Sequence, residues 1–515
     1  MKKQFTLLFL LLTIAIGRSQ SQDLANLANG DIVSFRTLYD KNTKLFGYFA
    51  LYTAGKAQEG KKNFEYIILD KNLNKVANKE FETESFIDTY NAYIDIHGKI
   101  KMVPSIDTED KSYKSKSFVY PSSKIIDIKK NTIEKEESFC YEDGAFIDCP
   151  ENKSNGEHKK ESQIERKKNG FVYNSSVYEI KQSGFLIFDN QDYKSYIKNN
   201  NIIRFDENKK ELWKYSYNQD GNKKKFEYMR LIDIDDHNIY GILGKVESTT
   251  KYSFSLLVFD LKTGEIVANK PLNDLNQYTL RGITSFYEYS SFGHAIDNSK
   301  SFDNNKIILV GKNYPTIYES NGYARLMIDK KTFEIRSDIL TYETDIKDYV
   351  QKSISNDYLK KYSLQIKDFF FLTDGSVGML AEKFKINDSF GRLDMVYLYT
   401  DKDFKLQGFK ILKEEKQKKI VNDYLFSQYL NNDNDLVFFY EDERKNKETK
   451  TNETFLYINT LIGGKFNQEQ IPIINSEKDN IITPYVAKEG YILLREYNDN
   501  KNEKYNQIRL EKLNY

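Results

Sequence analysis

Short apolar runs broken by tight polar turns recur from residue 32 to residue 513. The clearest case is residues 253–272, SFSLLVFDLKTGEIVANKPL. An apolar strand from Phe254 to Phe259 runs into Asp260, the turn Leu261-Lys262-Thr263-Gly264 follows, and a second strand returns from Glu265 to Leu272. Asp caps such a turn with its side chain, and Gly takes the positive φ that other residues avoid. The Phe, Leu and Val of the first strand suit a pleated, buried surface.

The same shape repeats around Asp70, Asp127, Asp206, Asp329 and Asp401, with Asn459 in the equivalent place of a later unit. A second hairpin lies upstream of several of these, at 91–103, 231–246, 369–384 and 429–442. Each unit therefore reads as four strands joined by hairpins. Tandem β-sandwiches would alternate in a similar way, but the constant hairpin order favours a β-propeller. The expected fold is all-β: a seven- or eight-bladed β-propeller of four-stranded antiparallel units, filling 22–515 as a single domain. The last unit offers only three strands, 481–487, 490–497 and 505–513. An open blade would expose an unpaired edge, so the apolar strand 32–39 is expected to pack beside the C-terminal strands.

These apolar-strand, Asp-turn, strand units, such as 256–272, resemble secreted bacterial proteins with propeller-like repeats of WD or quinoprotein-like shape. The likeness spans residues 32–513. Neither the Trp-Asp dipeptide nor a quinoprotein tryptophan docking motif is present, which argues against a quinone. Such folds host many functions.

Residues 1–21 read as a signal peptide. Lys2 and Lys3 precede an apolar run, 5–16, too short to span a bilayer, and small residues Gly17, Ser19 and Ser21 offer a cut after 19 or 21. No later apolar run is long enough to cross a membrane, so the mature chain is expected in the periplasm, outside the cell or at its surface. The whole chain carries 77 basic and 76 acidic residues. With no net basic field, nucleic acid is not an expected partner. The 39 Tyr and 34 Phe fill much of the core, Tyr suiting sheets whose ends reach a polar environment. The lone Trp213 is expected in the core.

Cys140 and Cys149 are the only cysteines and flank an Asp143-Gly144 turn. Across a short hairpin in an exported chain they are expected to form a disulfide. Two Cys without a nearby Cys or His pair do not complete a zinc site. The segment 151–168 has almost no apolar residues and reads as an exposed charged loop. Residues 345–361 carry apolar positions at helical spacing, at Ile346, Tyr349, Val350, Ile354 and Tyr358, and predict a helix.

No phosphate loop, His-Glu-x-x-His, Gly-x-Ser-x-Gly or EF-hand motif occurs, and the chain has 4 His. No cofactor and no metal are expected. Asp233, Asp235 and Asp236, and Asp433 with Asp435, fall at hairpin turns, where backbone geometry explains them; a calcium ion is the alternative. One hairpin turn is much longer than its counterparts, 285–305. It carries Phe286, Tyr287, Glu288, Tyr289, Phe292, His294 and Asp297. Aromatic faces beside a few polar groups suit a sugar or peptide, so Tyr287, Glu288, Tyr289, His294 and Asp297 form the candidate ligand site. A self-packed loop is the competing account. The expected function is a non-enzymatic exported binding or scaffold protein for a glycan, a peptide or another envelope protein. The alternative is a propeller enzyme acting on glycans or peptides.

Overall fold

The computed structural model describes residues 20–40, 44–58, 60–95, 98–106, 123–135, 139–142, 145–148, 175–180, 183–189, 200–222, 224–281, 283, 305–316, 320–346, 362–385, 392–412, 423–431, 434–446, 448, 450–475, 480–498 and 505–514. They are almost entirely strand, arranged as successive antiparallel sheets in which each strand pairs with the next. The first sheet is Asp31–Tyr39, Leu45–Lys56, Lys61–Asp70 and Lys75–Glu84; the second is Ile87–Ile94, Ile100–Ile106, Lys124–Asp127 and Thr132–Lys135. The third is Ser175–Ile180, Gly184–Asp189, Asn200–Phe205 and Glu211–Tyr217; the fourth is Phe226–Ile234, Asn238–Ser248, Lys251–Asp260 and Ile266–Pro271. The fifth has three strands among the described residues, Lys306–Lys312, Gly322–Asp329 and Ile335–Thr341. The sixth is Tyr362–Phe371, Val377–Lys385, Arg392–Thr400 and Leu406–Leu412; the seventh is Asp423–Leu430, Asp435–Lys445, Asn452–Ile462 and Lys465–Pro472. The eighth holds Ile474–Asn475, Asn480–Val486, Tyr491–Asn498, Asn506–Lys512 and, on its outer edge, Ser21–Asp23. Such meanders are the blades of a β-propeller, and the succession fits the eight-bladed expectation. A separate two-stranded hairpin, Phe139–Glu142 with Ala145–Asp148, lies between the second and third sheets in sequence.

Two compact units divide the chain: residues 1–138, 150–154 and 417–515 in one, 139–149 and 155–416 in the other. In each, the core lies between successive sheets. In the first unit, one cluster joins Phe49, Phe64, Tyr66 and Ile68 of the first sheet to Tyr90, Ile100 and Met102 of the second. Another joins Tyr48, Ile67 and Leu69 of the first sheet to Leu493, Ile508 and Leu510 of the eighth. In the second unit, clusters join the third sheet to the fourth, the fourth to the fifth and the fifth to the sixth. Central strands are consequently covered on both faces, and Tyr48 to Tyr52 is one unbroken buried run. That is why the sequence there is continuously apolar rather than alternating. Each fully buried Leu, Ile or Phe contributes about 1.5–3 kcal/mol. Two buried Tyr hydroxyls reach backbone carbonyls: Tyr48 donates to Val486 at 3.0 Å and Tyr52 to Leu24 at 2.8 Å.

Two expectations change, a third falls mostly outside the described residues, and one element is new. The strand that completes the eighth sheet is Ser21–Asp23, paired antiparallel with Asn506–Lys512. The strand expected there, 32–39, instead opens the first sheet, although Phe35 does pack edge-on against Tyr485 of the eighth at 5.0 Å. Asn459 is not a turn residue. It sits buried in mid-strand opposite Phe438 and Gln468, and the turn falls at Gly463-Gly464, both at positive φ. A two-residue turn with both φ positive is the tight hairpin that Gly-Gly permits. Of the helix expected at 345–361, only the start of its range is described, inside a π-helical turn, Tyr342–Ile346; 347–361 lie outside the described residues. Finally, residues 277–281 are helical, an element the strand pattern did not predict.

Candidate functional site

The Asp of each repeat turn does what its position requires. Asp260 accepts the backbone N–H of Lys262 at 2.9 Å and of Thr263 at 2.8 Å, and Asp329 those of Lys331 and Thr332, each at 2.9 Å. Asp70, Asp127 and Asp401 accept two backbone N–H groups each in the same way, and Asp206 accepts that of Lys210. Donors aimed at a carboxylate favour its charged form. The backbone hydrogen bonds of Thr263 and Thr332 accordingly hold the Asp260 and Asp329 carboxyls below the ordinary value.

Gly264 alone among these turns fills the left-handed position as expected. Its counterparts are Leu73, Asn131, Lys209, Phe333 and Phe404, all at φ between 52° and 66°. Leu73, Phe333 and Phe404 use the position to reach the preceding sheet. Leu73 packs in the cluster with Leu493 and Leu510, Phe333 meets Tyr240 at 6.4 Å, and Phe404 lies under the Arg325 guanidinium at 4.9 Å. Gly264 leaves the space open: a Cβ there would come within 2.5 Å of the Trp213 ring, which arrives from the preceding sheet.

The turn backbone is bound as well. The Trp213 indole N–H donates to the Leu261 carbonyl at 3.1 Å. Arg325, 1% exposed, donates to the Lys402 carbonyl at 3.0 Å and to Asp338 at 2.7 Å. Lys79 donates to the Asn131 carbonyl at 3.3 Å. Each is a joint between one sheet and the turn of the next.

At the turn of the fifth sheet the joint is ionic. The Lys330 ammonium lies 2.5 Å from Asp233 and 3.9 Å from Asp235 of the fourth sheet, and 5.6 Å from the centre of the Tyr240 ring. Tyr240 donates its hydroxyl to Asp235 at 2.9 Å. Lys330 and Asp233 are each about one-eighth exposed, at 13%. Burial raises the Asp233 carboxyl above its ordinary value, against the pull of Lys330. Asp235 is the turn residue, accepting from His237 and Asn238. Two carboxylates of the acidic cluster seen in the sequence, Asp233 and Asp235, thus face a lysine. Among the described residues no group of three His, Cys, Asp or Glu side chains is arranged to hold a metal. Lys330 itself was legible only as the residue after a turn Asp, the place Leu261 and Lys402 take in their own turns.

The residues singled out for ligand binding, Tyr287, Glu288, Tyr289, His294 and Asp297, lie outside the described residues, as do Cys149, Asp433 and the charged segment 151–168. Trp213 is a core residue, 9% exposed. No described helix is long and apolar enough to cross a membrane.

No family model matches the sequence, and no curated protein does. Among solved structures, the chain is similar to the WD40 domain of SCAP from fission yeast, at 8% identity over 96% of this chain and 87% of that one, with a TM-score of 0.30. It is similar to the β-propeller domain of the Trilobed protease from Pyrococcus furiosus, described as having an open velcro topology, at 11% identity over 87% and 97%, TM-score 0.32. It is also similar to the polysaccharide lyase Uly1, at 8% identity over 96% and 91%, TM-score 0.32. At these scores the likenesses carry nothing about activity, and the fold rests on the sheet topology.

Proposed function

We propose that the chain is an exported β-propeller that serves as a rigid binding scaffold in the periplasm or at the cell surface, with a glycan, a peptide or another envelope protein as its ligand. One observation carries this reading. The buried or largely buried charged and aromatic groups that the turns bring together, Trp213, Arg325 and the Lys330–Asp233 pair, are each engaged in joining one sheet to the next. A frame fixed in this way presents inserted loops from a rigid base, and binding residues concentrate on such loops. The long segment 285–305, read from the sequence as a hairpin insertion, would supply Tyr287 and Tyr289 for stacking and Glu288, His294 or Asp297 for hydrogen bonding.

The test is calorimetric titration of the purified mature chain with soluble envelope polysaccharides and peptides, beside a Tyr287→Ala, Tyr289→Ala variant. Saturable binding that the variant loses at an unchanged melting temperature supports the scaffold reading. Shortening of the glycan or peptide during incubation would replace it with the enzyme alternative. A variant that loses binding only by unfolding would show the loop to be internal packing.

A further inference from the structure

The outer edge of the eighth sheet is formed by residues at the end of the expected signal peptide. Ser21, Gln22 and Asp23 stand opposite Arg509, Ile508 and Gln507. One residue earlier, the Gln20 carbonyl accepts the N–H of Leu510 at 2.9 Å. The Gln20 side-chain oxygen accepts from the Lys488 ammonium at 3.2 Å, and the same ammonium reaches Asn72 of the first sheet at 2.9 Å. Just after the strand, Asp23 caps the short turn Leu24–Asn26, and Leu24 is fully buried. Gln20 thus bonds to Leu510 of the eighth sheet and to Lys488, which in turn reaches the first sheet.

Two cuts satisfy the small-residue pattern of a signal-peptide site: after Ser19, with Gly17 two residues before it, and after Ser21, with Ser19 two residues before it. The sequence does not separate them, but the sheet does. A cut after Ser21 removes the Gln20 carbonyl, the Ser21–Arg509 pairing and the contact with Lys488. It also places a charged amine on Gln22, inside the ladder opposite Ile508. A cut after Ser19 leaves every one of these interactions intact and puts the new amine on exposed Gln20, outside the paired strand.

We propose that the export protease hydrolyses the Ser19–Gln20 bond, so that the mature protein begins at Gln20 and uses residues 20–23 to complete its eighth sheet. Water adds across that amide, leaving a carboxylate on Ser19 and an amine on Gln20. The proposal rests on the export reading above.

The experiment expresses the full chain in a Gram-negative host, recovers it from the envelope and medium, and identifies its N-terminal peptide by mass. A peptide starting at Gln20, with or without loss of ammonia, is the expected result. Export with a start at Gln22 or elsewhere overturns this inference alone, whereas retention of the uncut chain in the cytoplasm overturns the export reading and this inference together. In parallel, chains starting at Gln20 and at Gln22 are released from a cleavable tag without extra residues and melted. The shorter chain is expected to melt at a lower temperature; equal midpoints would overturn the role given to Gln20 and Ser21.

Discussion

A leucine or phenylalanine at a left-handed backbone position costs about 1–2 kcal/mol in backbone strain. Leu73 and Phe404 nevertheless occupy such positions, and both are almost fully buried. Removing a buried aromatic side chain costs about 3–5 kcal/mol, so packing outweighs strain. Phe404→Gly should therefore destabilise the protein by about 1–4 kcal/mol net, although glycine is the better turn residue; denaturant unfolding would read the loss, and a gain in stability would contradict it. The repeat turns were legible through Asp, whose role is local. The left-handed residue was not, because its identity is set by the neighbouring sheet. The same turns fix an acid response. The carboxyls of Asp260 and Asp329 are lowered in the folded chain, first by backbone hydrogen bonds. Their stabilisation is then complete above the unfolded carboxylate value and is lost as pH falls through the lower folded value. Asp260→Asn keeps an acceptor oxygen but no titrating group. Its stability should fall less steeply than the parent's below about pH 4, as followed by urea unfolding at a series of pH values.

At the scale of elements, the turn between the last two strands of a sheet is also a connector. Trp213 with Leu261, Arg325 with Lys402 and Lys79 with Asn131 each give a side-chain N–H to a turn carbonyl, while Asp233 with Lys330 makes an ion pair in the same placement. That explains why sequence reading found the units but not their joints: the partners lie a sheet apart, and side chains of different kinds meet equivalent turns. It also explains the misplaced Asn459, where an apolar strand followed by Asn mimicked the repeat while Gly463-Gly464 made the turn. The ionic joint gives a double-mutant test. Lys330→Met leaves Asp233 mostly buried without its counter-charge and should cost about 1–3 kcal/mol at neutral pH. Asp233→Asn in the same chain should recover much of that loss. If the two changes instead add independently, the pair is not the joint described here. Without Lys330 to oppose it, burial raises the Asp233 carboxyl further, so the single variant should lose less relative to the parent on acidification.

For the molecule as a whole, sheet order along the chain was legible because central strands buried on both faces leave an unmistakable apolar run. The three-residue closing strand was not, since Ser-Gln-Asp has no apolar signature and gains its structure only from its partner. The hairpin Phe139–Glu142 with Ala145–Asp148 sets Cys140 opposite Ile147, and Cys149 follows at its end in sequence. If the chain is exported as proposed, the two cysteines are expected to be bonded to each other. Intact-mass measurement after alkylation without reductant should show no added label, and labelling of two thiols would contradict it. A loop of this size contributes roughly 2–3 kcal/mol in the chain-entropy model, so reduction should lower the melting temperature modestly rather than unfold the protein outright.

The edge pairing of Ser21–Asp23 with Asn506–Lys512 also imposes an order of events. Ser21–Asp23 find their partners only after Asn506–Lys512 have been made, a delay of the order of a minute at about 5–20 residues per second. Until then Phe35, Tyr48 and Tyr52 lack the Leu493, Ile508 and Leu510 against which they pack. Loop-closure entropy grows only slowly with length, so the finished contact is thermodynamically tolerable. Its burden is temporal: the opening sheet must wait with an uncovered apolar face. A chain built this way depends on protection of its beginning until its end arrives.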